Sequence, residues 1–295
     1  YIKKEGMDSE TVYTCYIKDE GRRLLGIVSL RTLVVSDDNV QVGELMNEDV
    51  IYVNVLDDRE YVSDIFKRYG FLAIPVVDNE KRLVGIITVD DILDVIDEEI
   101  TEDFQKMAGL AASKEEYLDM SVWHHVKNRL PWLFFLMCSL MVTGFIITKF
   151  EDLLSNVIAL VAYLPLLMGT GGNSGSQSAT LIIRGLAVGD VELRDAGRIL
   201  WKETRVSFLI GVILSSLNFL KIYFFDGRDL FVALTVCGSM LLIIMVAKIV
   251  GGLLPIGAKK VGIDPALMAS PMIASLTDMV SVVTYFMLAT LILGI

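Results

Sequence analysis

The chain has 295 residues, of which 54% are apolar and 21% are charged, and its mean hydropathy is +0.57. This composition allows one large soluble domain, or a smaller soluble domain joined to a membrane bundle. Cys15, Cys138 and Cys237 are far apart and form no C-x-x-C pair. Their spacing argues against a disulfide framework and against a zinc cluster.

Acidic residues are concentrated in the first part of the chain. Residues 1–120 contain 27 Asp and Glu against 13 Lys and Arg, whereas residues 121–295 contain 10 against 13. The net charges of −14 and +3 together give the −11 of the whole chain. We therefore predict two bodies that differ in solvent preference. Tyr1 is not an initiator methionine, and we expect the chain to be a fragment of a longer protein.

The acidic part contains an internal repeat. The residues around Gly26 align with those around Gly85 without a gap, at an interval of 59 positions. A fixed interval of this size indicates a duplicated supersecondary unit. Each copy is predicted to contain a short strand, a charged turn, a second strand, and a helix that follows Ser29 or Thr88.

The segment between the two copies completes the second unit. It is predicted to contain a strand at 50–54, a helix from Asp57 to Tyr69 capped by Asp57, and a strand at 71–77. This order of elements, with the run Gly-Ile-Ile-Thr-Val-Asp-Asp at 85–91, resembles a CBS domain. The resemblance implies a complete CBS domain at 43–103 and the C-terminal part of a first CBS unit at 1–42.

Thr88 and Asp91 are a candidate nucleotide site. In CBS domains a Ser or Thr followed three residues later by Asp often holds an adenosine ribose, so the resemblance implies an adenine nucleotide, possibly ATP, at these two residues. The alternative is that both residues only cap the helix that begins here. The first copy has Ser29 and Thr32 at these positions and lacks the carboxylate.

An acidic helix is predicted after Thr88. Asp91, Asp94, Glu98 and Glu102 share one face of it, and no basic residue occurs between Asp90 and Asp103. Carboxylates at this spacing repel one another, so we expect a nearby cation. Oxygen ligands favour Mg²⁺ or Ca²⁺. The alternative is an ordinary solvated acidic face.

The rest of the chain predicts an all-α membrane domain. A polar connecting helix at about 113–128, within a connecting region at 104–130, precedes a domain at 131–295 whose first span Pro131 opens. Five apolar runs, each near the ~20 residues needed to cross a bilayer or longer, are predicted at about 131–149, 156–184, 204–224, 230–256 and 266–294. The predicted fold class is thus a multi-domain membrane protein, with α/β CBS units followed by a five-helix transmembrane domain.

The short loops predict the orientation in a cell membrane. With residue 127 in the cytoplasm, nine Lys and Arg near the spans lie on the cytoplasmic side and three lie opposite. This agrees with the positive-inside rule. The CBS region would be cytoplasmic and the C-terminus extracytoplasmic.

The second apolar run contains an unusual stretch of glycine and polar residues, Gly169-Thr-Gly-Gly-Asn-Ser-Gly-Ser-Gln177. So many glycines weaken a lipid-facing helix, and irregular backbone survives in a membrane where it is packed in protein or lines water. We therefore expect Asn173 and Gln177 to face a path. Gly171 and Gly175 also form a G-x-x-x-G pattern, which favours close helix packing, and both interpretations can hold together.

Asp278 lies near the middle of the fifth apolar run. An ionisable residue at that depth is functional by default and needs a partner. Lys248 in the fourth run would make a structural salt bridge, although it is close enough to the helix end to reach the interface. We favour a cation as the partner of Asp278, and specifically an ion that keeps its water, because Mg²⁺ loses its first shell reluctantly.

Together, the CBS units, the glycine-rich run and the lone Asp resemble the MgtE family of magnesium channels. The resemblance implies a homodimer whose central pore holds hydrated Mg²⁺ at Asp278 and at the carbonyl groups of Ala274 and Gly169. Residues Gly171, Gly172, Asn173, Gln177 and Ser275 would line that pore. The connecting helix would be the plug helix of the family, and its acidic residues would bind regulatory Mg²⁺ together with those of the CBS domain. This regulatory set is Asp91, Asp94, Glu98, Glu99, Glu102, Glu115, Glu116 and Asp119.

The predicted function is a Mg²⁺-selective channel or transporter that intracellular Mg²⁺ closes. The alternatives are a CBS-regulated transporter of another divalent cation, such as Co²⁺, Mn²⁺ or Ca²⁺, and a proton-coupled carrier, which would share the buried Asp. A membrane-anchored nucleotide sensor would not need the polar run. The expected partners are Mg²⁺, the bilayer, a second copy of the chain and an adenine nucleotide, with no nucleic acid. No nucleophile and base pair is evident, so an enzyme is not expected.

Overall fold

The computed structural model describes residues 2, 6, 9–37, 39–113, 115 and 117–294. The chain divides into two compact units, Tyr1–Thr101 and Glu102–Ile295. An α/β part is thus followed by a helical part, as the sequence predicts.

The first unit contains two small sheets. Strands β1 (Thr14–Lys18) and β2 (Leu24–Ser29) pair antiparallel. Strands β3 (Val53–Asn54), β4 (Ala73–Val77) and β5 (Leu83–Thr88) form the second sheet, in which β3 and β4 are parallel and β4 and β5 are antiparallel. Its helices are α1 (Leu30–Val35), α2 (Val42–Leu45), α3 (Arg59–Tyr69) and α4 (Val89–Met107).

The repeat extends to the geometry of the turns. Strands β2 and β5 begin 59 residues apart, and the turns before them place Arg22 and Lys81 in the left-handed region, at φ of 66° and 60°. Asp19 and Asp78 close these turns by accepting a hydrogen bond from the backbone amide four residues later, at 2.7 and 2.8 Å. The same residue spacing therefore produces the same strained turn twice.

Helix α3 packs on the second sheet and begins two residues later than predicted. Asp58 is its N-cap and accepts from the Glu60 amide at 2.9 Å, whereas Asp57 accepts from the Asn54 amide at 2.8 Å and closes the preceding turn. Phe66 of α3 packs against other apolar side chains that are almost fully buried, including those of Val53, Ile74 and Ile92.

Five long helices form the second unit: α5 (Val122–Thr148), α7 (Leu164–Ala187), α8 (Ala196–Leu220), α9 (Leu230–Lys260) and α10 (Ser270–Leu293). Among the described residues, four helical stretches are long and apolar enough to cross a membrane: Val122–Thr148, Leu193–Phe225, Leu230–Lys260 and Ser270–Leu293. Helix α7 has 24 residues but is less apolar, because it carries the glycine-rich run.

The connecting helix expected at about 113–128 differs in the structure. Its described positions before Val122 are turns and bends, and the part from Val122 onward is continuous with the first span. The Gln105 side chain bonds both the amide and the carbonyl of Ser113, at 2.7 and 3.0 Å, so these groups are not available to a helix. Ser121 instead caps α5, and Pro131 lies inside this helix rather than at its first turn.

The second predicted span, 156–184, is also divided differently. A short helix α6 (Glu151–Asn156) and a 3₁₀ helix, Ile158–Tyr163, precede α7. Pro165 explains the break, because proline has no amide hydrogen to continue a helix and is accommodated in a first turn. The glycine-rich run, expected to be irregular, is regular helix throughout.

Close backbone contacts explain how that run stays helical. A Cβ atom added to Gly251 of α9 would overlap the Gly175 carbonyl group, and one added to Gly171 would lie 2.5 Å from the Ser281 hydroxyl oxygen of α10. Helices α7, α9 and α10 therefore pack through their glycines, as the G-x-x-x-G interpretation predicts. Tertiary packing offsets the low helix propensity of glycine.

Candidate functional site

Helices α7 and α10 bring Asp278 against the glycine-rich run. A Cβ atom added to Gly172 would lie 3.9 Å from the Asp278 Oδ1 atom and 3.5 Å from the Ala274 Cβ atom. These are ordinary van der Waals distances, so the α10 carboxylate lies directly beside the α7 backbone at Gly172. The structure therefore joins the two sequence features that were predicted to share a site.

The Asp278 carboxylate has no hydrogen-bond or ion-pair partner among the residues that the structure describes. It is partly buried on an apolar helix that carries no other charged residue. The predicted alternative, a salt bridge to Lys248, is not formed: Lys248 Nζ lies 3.4 Å from the Ser178 Oγ atom instead. A carboxylate in this environment needs water or a cation.

Ala274 offers one oxygen near this carboxylate. Its carbonyl accepts a hydrogen bond from the Thr277 hydroxyl at 3.0 Å, and the same hydroxyl lies 2.8 Å from the Ile273 carbonyl. Inside the helix this carbonyl also accepts the Asp278 amide, so it keeps a lone pair for water when the single Thr277 hydroxyl proton goes to the Ile273 carbonyl instead.

A polar stripe on α7 is uncovered within the chain. Gly169, Asn173 and Gln177 are all exposed and recur every four residues, which places them along one side of the helix. Amide side chains are costly in contact with lipid, so this stripe needs water or a second protein surface.

Two of the residues predicted to line the pore are buried within the chain. Gly171 faces Ser281 and Ile243, and Ser275 is 7% exposed. The reason for Gly171 is helix periodicity, because a residue two positions before Asn173 points to nearly the opposite side of α7. Gly171 therefore packs helices together in this chain, and Gly172 is the glycine that faces Asp278.

Part of the acidic set on α4 is already neutralised within the chain. Arg59 of α3 bonds Glu98 at 3.0 Å and Glu99 at 3.3 Å. Lys106 bonds Glu102 at 2.8 Å. These ion pairs supply part of the positive charge that was expected near the acidic face. All of these carboxylates remain at least partly exposed.

The other predicted regulatory residues are mostly free of such neutralisation. Asp91, Asp94 and Asp119 are exposed, and Glu115 lies 3.4 Å from the His124 Nδ1 atom. Glu116 is outside the described residues. Within the described part of the chain, no group of three or more His, Cys, Asp or Glu side chains could hold a metal ion.

Thr88 and Asp91, the predicted nucleotide pair, are in direct contact. The Thr88 hydroxyl, almost fully buried at the end of β5, donates to the Asp91 Oδ2 atom at 2.9 Å. This hydrogen bond holds both side chains at the first turn of α4. The geometry serves the capping role and also leaves the second Asp91 oxygen available to a ligand.

Sequence reasoning missed an ion pair at the end of α4. Lys106 bonds Asp264, in the segment before α10, at 2.7 Å. Burial alone would lower the pKa of Lys106, but the carboxylates of Asp264 and Glu102 raise it above its usual value. Burial, with the nearby Asp264 charge, raises the pKa of the Asp103 carboxyl. The sequence signal for this ion pair was Lys106 itself, a single basic residue soon after the acidic run at 90–103.

Sequence reasoning also missed Glu203. Its carboxylate accepts a hydrogen bond from the Ser178 hydroxyl at 2.6 Å, which links α8 to α7 inside the membrane domain. The available signal was an acidic residue one position before the third predicted span, 204–224.

These observations define the class of protein: an α/β module followed by a helical membrane domain with a partly buried carboxylate that has no partner among the described residues. Comparison with known proteins agrees. Residues 164–288 match the family model of MgtE, described as a divalent cation transporter, and residues 42–98 match the CBS domain. The chain therefore contains a CBS domain and an MgtE-family membrane domain, and the resemblance predicted from the sequence is confirmed.

Similar proteins extend this resemblance over the whole chain. The magnesium transporter MgtE of Thermus thermophilus is 43% identical over 297 residues, which cover 99% of this chain and 65% of that protein. MgtE of Bacillus subtilis is 36% identical over 282 residues, 96% of this chain and 62% of that protein. The chain thus spans less than two thirds of the length of these relatives. A solved structure of the cytosolic domain of the Mg²⁺ channel MgtE in complex with ATP is 48% identical over 32% of this chain and 38% of that chain, with a TM-score of 0.31.

Proposed function

We propose that the chain forms a Mg²⁺ channel or transporter of the cell membrane, with hydrated Mg²⁺ held at Asp278. The observation that carries this proposal is the unpaired Asp278 carboxylate beside the Gly172 backbone. The magnesium transporters that resemble the chain over nearly all of its length support the choice of ion.

The sparse ligands around Asp278 favour an ion that keeps its water. One carboxylate and at most one free carbonyl lone pair cannot replace the octahedral water shell of Mg²⁺, which is reluctant to dehydrate. Hydrogen bonds from bound water to Asp278, to Ala274 and to the polar stripe would hold the ion without stripping it. Binding of this kind is weak enough to permit release, as conduction requires.

A homodimer would complete the pore. The stripe of Gly169, Asn173 and Gln177 is uncovered, and two copies related by a two-fold axis would place it and Asp278 opposite their counterparts. The field of two carboxylates would then act on one ion.

Regulation by cytoplasmic Mg²⁺ would use the acidic CBS face. Residues 1–120 carry a net charge of −14, and Asp91, Asp94 and Asp119 remain exposed. Mg²⁺ that binds between facing carboxylates would favour a compact, closed state by its higher affinity for that state. Arg59 and Lys106 offset part of the charge, which leaves the exposed aspartates as the main regulatory ligands.

The orientation and the nucleotide site belong to the same proposal. The distribution of Lys and Arg supports a cytoplasmic CBS region and an extracytoplasmic C-terminus. The contact between Thr88 and Asp91 supports an adenine nucleotide at this pair. If Asp91→Asn bound ATP as tightly as the parent chain, the pair would be only a helix cap.

The permeation site is tested with purified protein in liposomes and a Mg²⁺-sensitive dye. Asp278→Ala should reduce Mg²⁺ uptake to the level of protein-free vesicles, because nothing else in α10 can carry the charge. Thr290→Ala, an exposed position on the same helix, should transport normally. Uptake through Asp278→Ala at the parent rate would reject the site.

Competition experiments in the same vesicles decide the ion. Faster uptake of Co²⁺, Mn²⁺ or Ca²⁺ than of Mg²⁺ would indicate another divalent cation transporter. Uptake that a pH gradient drives would indicate a proton-coupled carrier.

A further inference from the structure

Three polar side chains meet inside the membrane domain on the side of α7 away from Asn173. Lys248 of α9 is 5% exposed and Ser178 of α7 is 1% exposed. The Lys248 Nζ atom lies 3.4 Å from the Ser178 Oγ atom, and Ser178 Oγ lies 2.6 Å from the Glu203 Oε2 atom of α8. One residue from each of three helices thus forms a continuous chain of hydrogen bonds.

The protons and lone pairs of the three groups fix the direction of these two hydrogen bonds. A lysine ammonium can only donate and an ionised carboxylate can only accept, whereas a serine hydroxyl has one proton and two lone pairs. Ser178 therefore accepts from Lys248 and donates to Glu203. The arrangement is satisfied when Lys248 is protonated and Glu203 is ionised, so Ser178 bridges a charge pair.

Each charge in this pair depends on the other. Lys248 has no carboxylate within 4.0 Å among the described residues, and Ser178 is its hydrogen-bond partner there. Lys248 is buried and Glu203 is partly buried, so removing one of them leaves the other charge uncompensated, whereas removing both can be nearly neutral. A membrane domain makes that asymmetry larger.

The pair sits where it can set the rotation of α7. Ser178 follows Asn173 by five residues, which is about 140° around a helix. On this side the α9 backbone already touches α7, because Gly251 packs directly on the Gly175 carbonyl group. Gly172, about 60° around the helix from Gly175, lies against Asp278. A charge pair at Ser178 therefore holds the side of α7 that faces away from the polar stripe of Gly169, Asn173 and Gln177.

We propose that Lys248 and Glu203, bridged by Ser178, are positioning residues that fix the rotational setting of α7 and so keep Gly172 against Asp278 and Asn173 on the uncovered side. The consequence for permeation rests on the proposed function. The rotation of α7 can be measured without it.

Cysteine labelling tests the rotation directly. In a background with Cys15→Ser, Cys138→Ala and Cys237→Ala, single reporters Asn173→Cys and Ser174→Cys react with a water-soluble maleimide. Asn173 is exposed and Ser174 is 7% exposed, so the first should label fast and the second slowly. Lys248→Met should raise the ratio of Ser174→Cys to Asn173→Cys labelling at least about tenfold, because it removes the buried donor to Ser178 and leaves the partly buried Glu203 carboxylate without its counter-charge.

Matched variants separate the pair from general loss of packing. Lys248→Arg should keep the parent labelling ratio, and Lys248→Met combined with Glu203→Gln should largely restore it. If Lys248→Met yields no monodisperse protein, Ser178→Ala replaces it and Ser178→Thr is its control. A parent-like ratio in Lys248→Met, or in Ser178→Ala, would overturn the proposal.

Flux measurements then connect the rotation to permeation. Lys248→Met should raise the Mg²⁺ concentration that gives half-maximal uptake, and the double variant should return it toward the parent value. If a variant with an altered labelling ratio took up Mg²⁺ with an unchanged half-maximal concentration, the rotation of α7 would have no role in permeation. If the parent chain carries no Mg²⁺ at all, the proposed function fails, while the labelling ratio still decides whether the charge pair sets α7.

Discussion

Single charged residues in apolar helices were visible in the sequence, but their partners were not. Asp278 is the one charged residue of α10, and Lys248 lies in the interior of α9. From the sequence alone, Asp278 and Lys248 could either form a salt bridge or lie apart. The structure separates them, because Lys248 turns toward Ser178 and Asp278 turns toward Gly172. Which side chains meet depends on the rotation and height of each helix, which no local pattern specifies.

At the same scale, Asp78 makes the stability of the CBS turn depend on pH. Burial alone would raise the pKa of its carboxyl, but hydrogen bonds from the Arg82 backbone and side chain, and from the Glu80 amide, lower it below its usual value. A lowered folded-state pKa means that the stabilisation is present at neutral pH and is lost as the pH falls through that pKa.

Asp78→Asn should therefore lower the unfolding temperature of the full chain at pH 7, and the difference from the parent should shrink below about pH 3.9, the ordinary pKa of Asp. Thermal melts across this range measure it. Asp64→Asn, at an exposed position on α3, should show no comparable pH-dependent difference. A constant difference at all pH values would contradict the ionic explanation.

Among the helices, the packing role of the glycine-rich run was predicted correctly, but its backbone conformation was not. Low helix propensity predicted irregular structure, whereas α7 is a regular helix, because its glycines let α9 and α10 approach. For the connecting segment before α5, the prediction was wrong in the opposite direction. Its sequence favoured a helix from about 113, but the Gln105 side chain bonds both backbone groups of Ser113 and keeps this residue out of a helix.

Gly251 and Gly257 of α9 give a matched test of this packing. Gly251→Ala should destabilise the domain by about 1–3 kcal/mol, because the new methyl group overlaps the Gly175 carbonyl. Gly257 has nothing within 4 Å of its Cβ position, so Gly257→Ala should be neutral or stabilise the helix by up to ~1 kcal/mol. Thermal unfolding in detergent measures both. Equal effects of the two variants would mean that close packing at Gly251 is unimportant.

For the whole molecule, the contrast between a charge of −14 in residues 1–120 and +3 in the remainder separates an acidic α/β part from an apolar helical part. The contrast also predicts how the regulatory part responds to a divalent cation. Neutralising four acidic residues of α4 together, Asp91→Asn, Asp94→Asn, Glu98→Gln and Glu99→Gln, should abolish the inhibition of uptake by Mg²⁺ on the CBS side.

A control variant changes the net charge by the same amount elsewhere in the first unit: Glu44→Gln, Glu48→Gln, Asp49→Asn and Asp64→Asn. Uptake through this variant should still fall when Mg²⁺ is added on the CBS side. Normal closure of the α4 variant would reject the regulatory site. Loss of closure in both variants would mean that total charge matters more than position.

The sequence by itself determined the repeat, the division into an acidic α/β part and an apolar helical part, and the residue types of the candidate site. These properties depend on spacing and composition, which are local. Tertiary structure decided that Gly172 rather than Gly171 faces Asp278, that Arg59 and Lys106 neutralise part of the acidic face, and that Glu203 joins Lys248 through Ser178. Each of these contacts joins residues on different elements, and the packing of those elements depends on how all the side chains between them fit together.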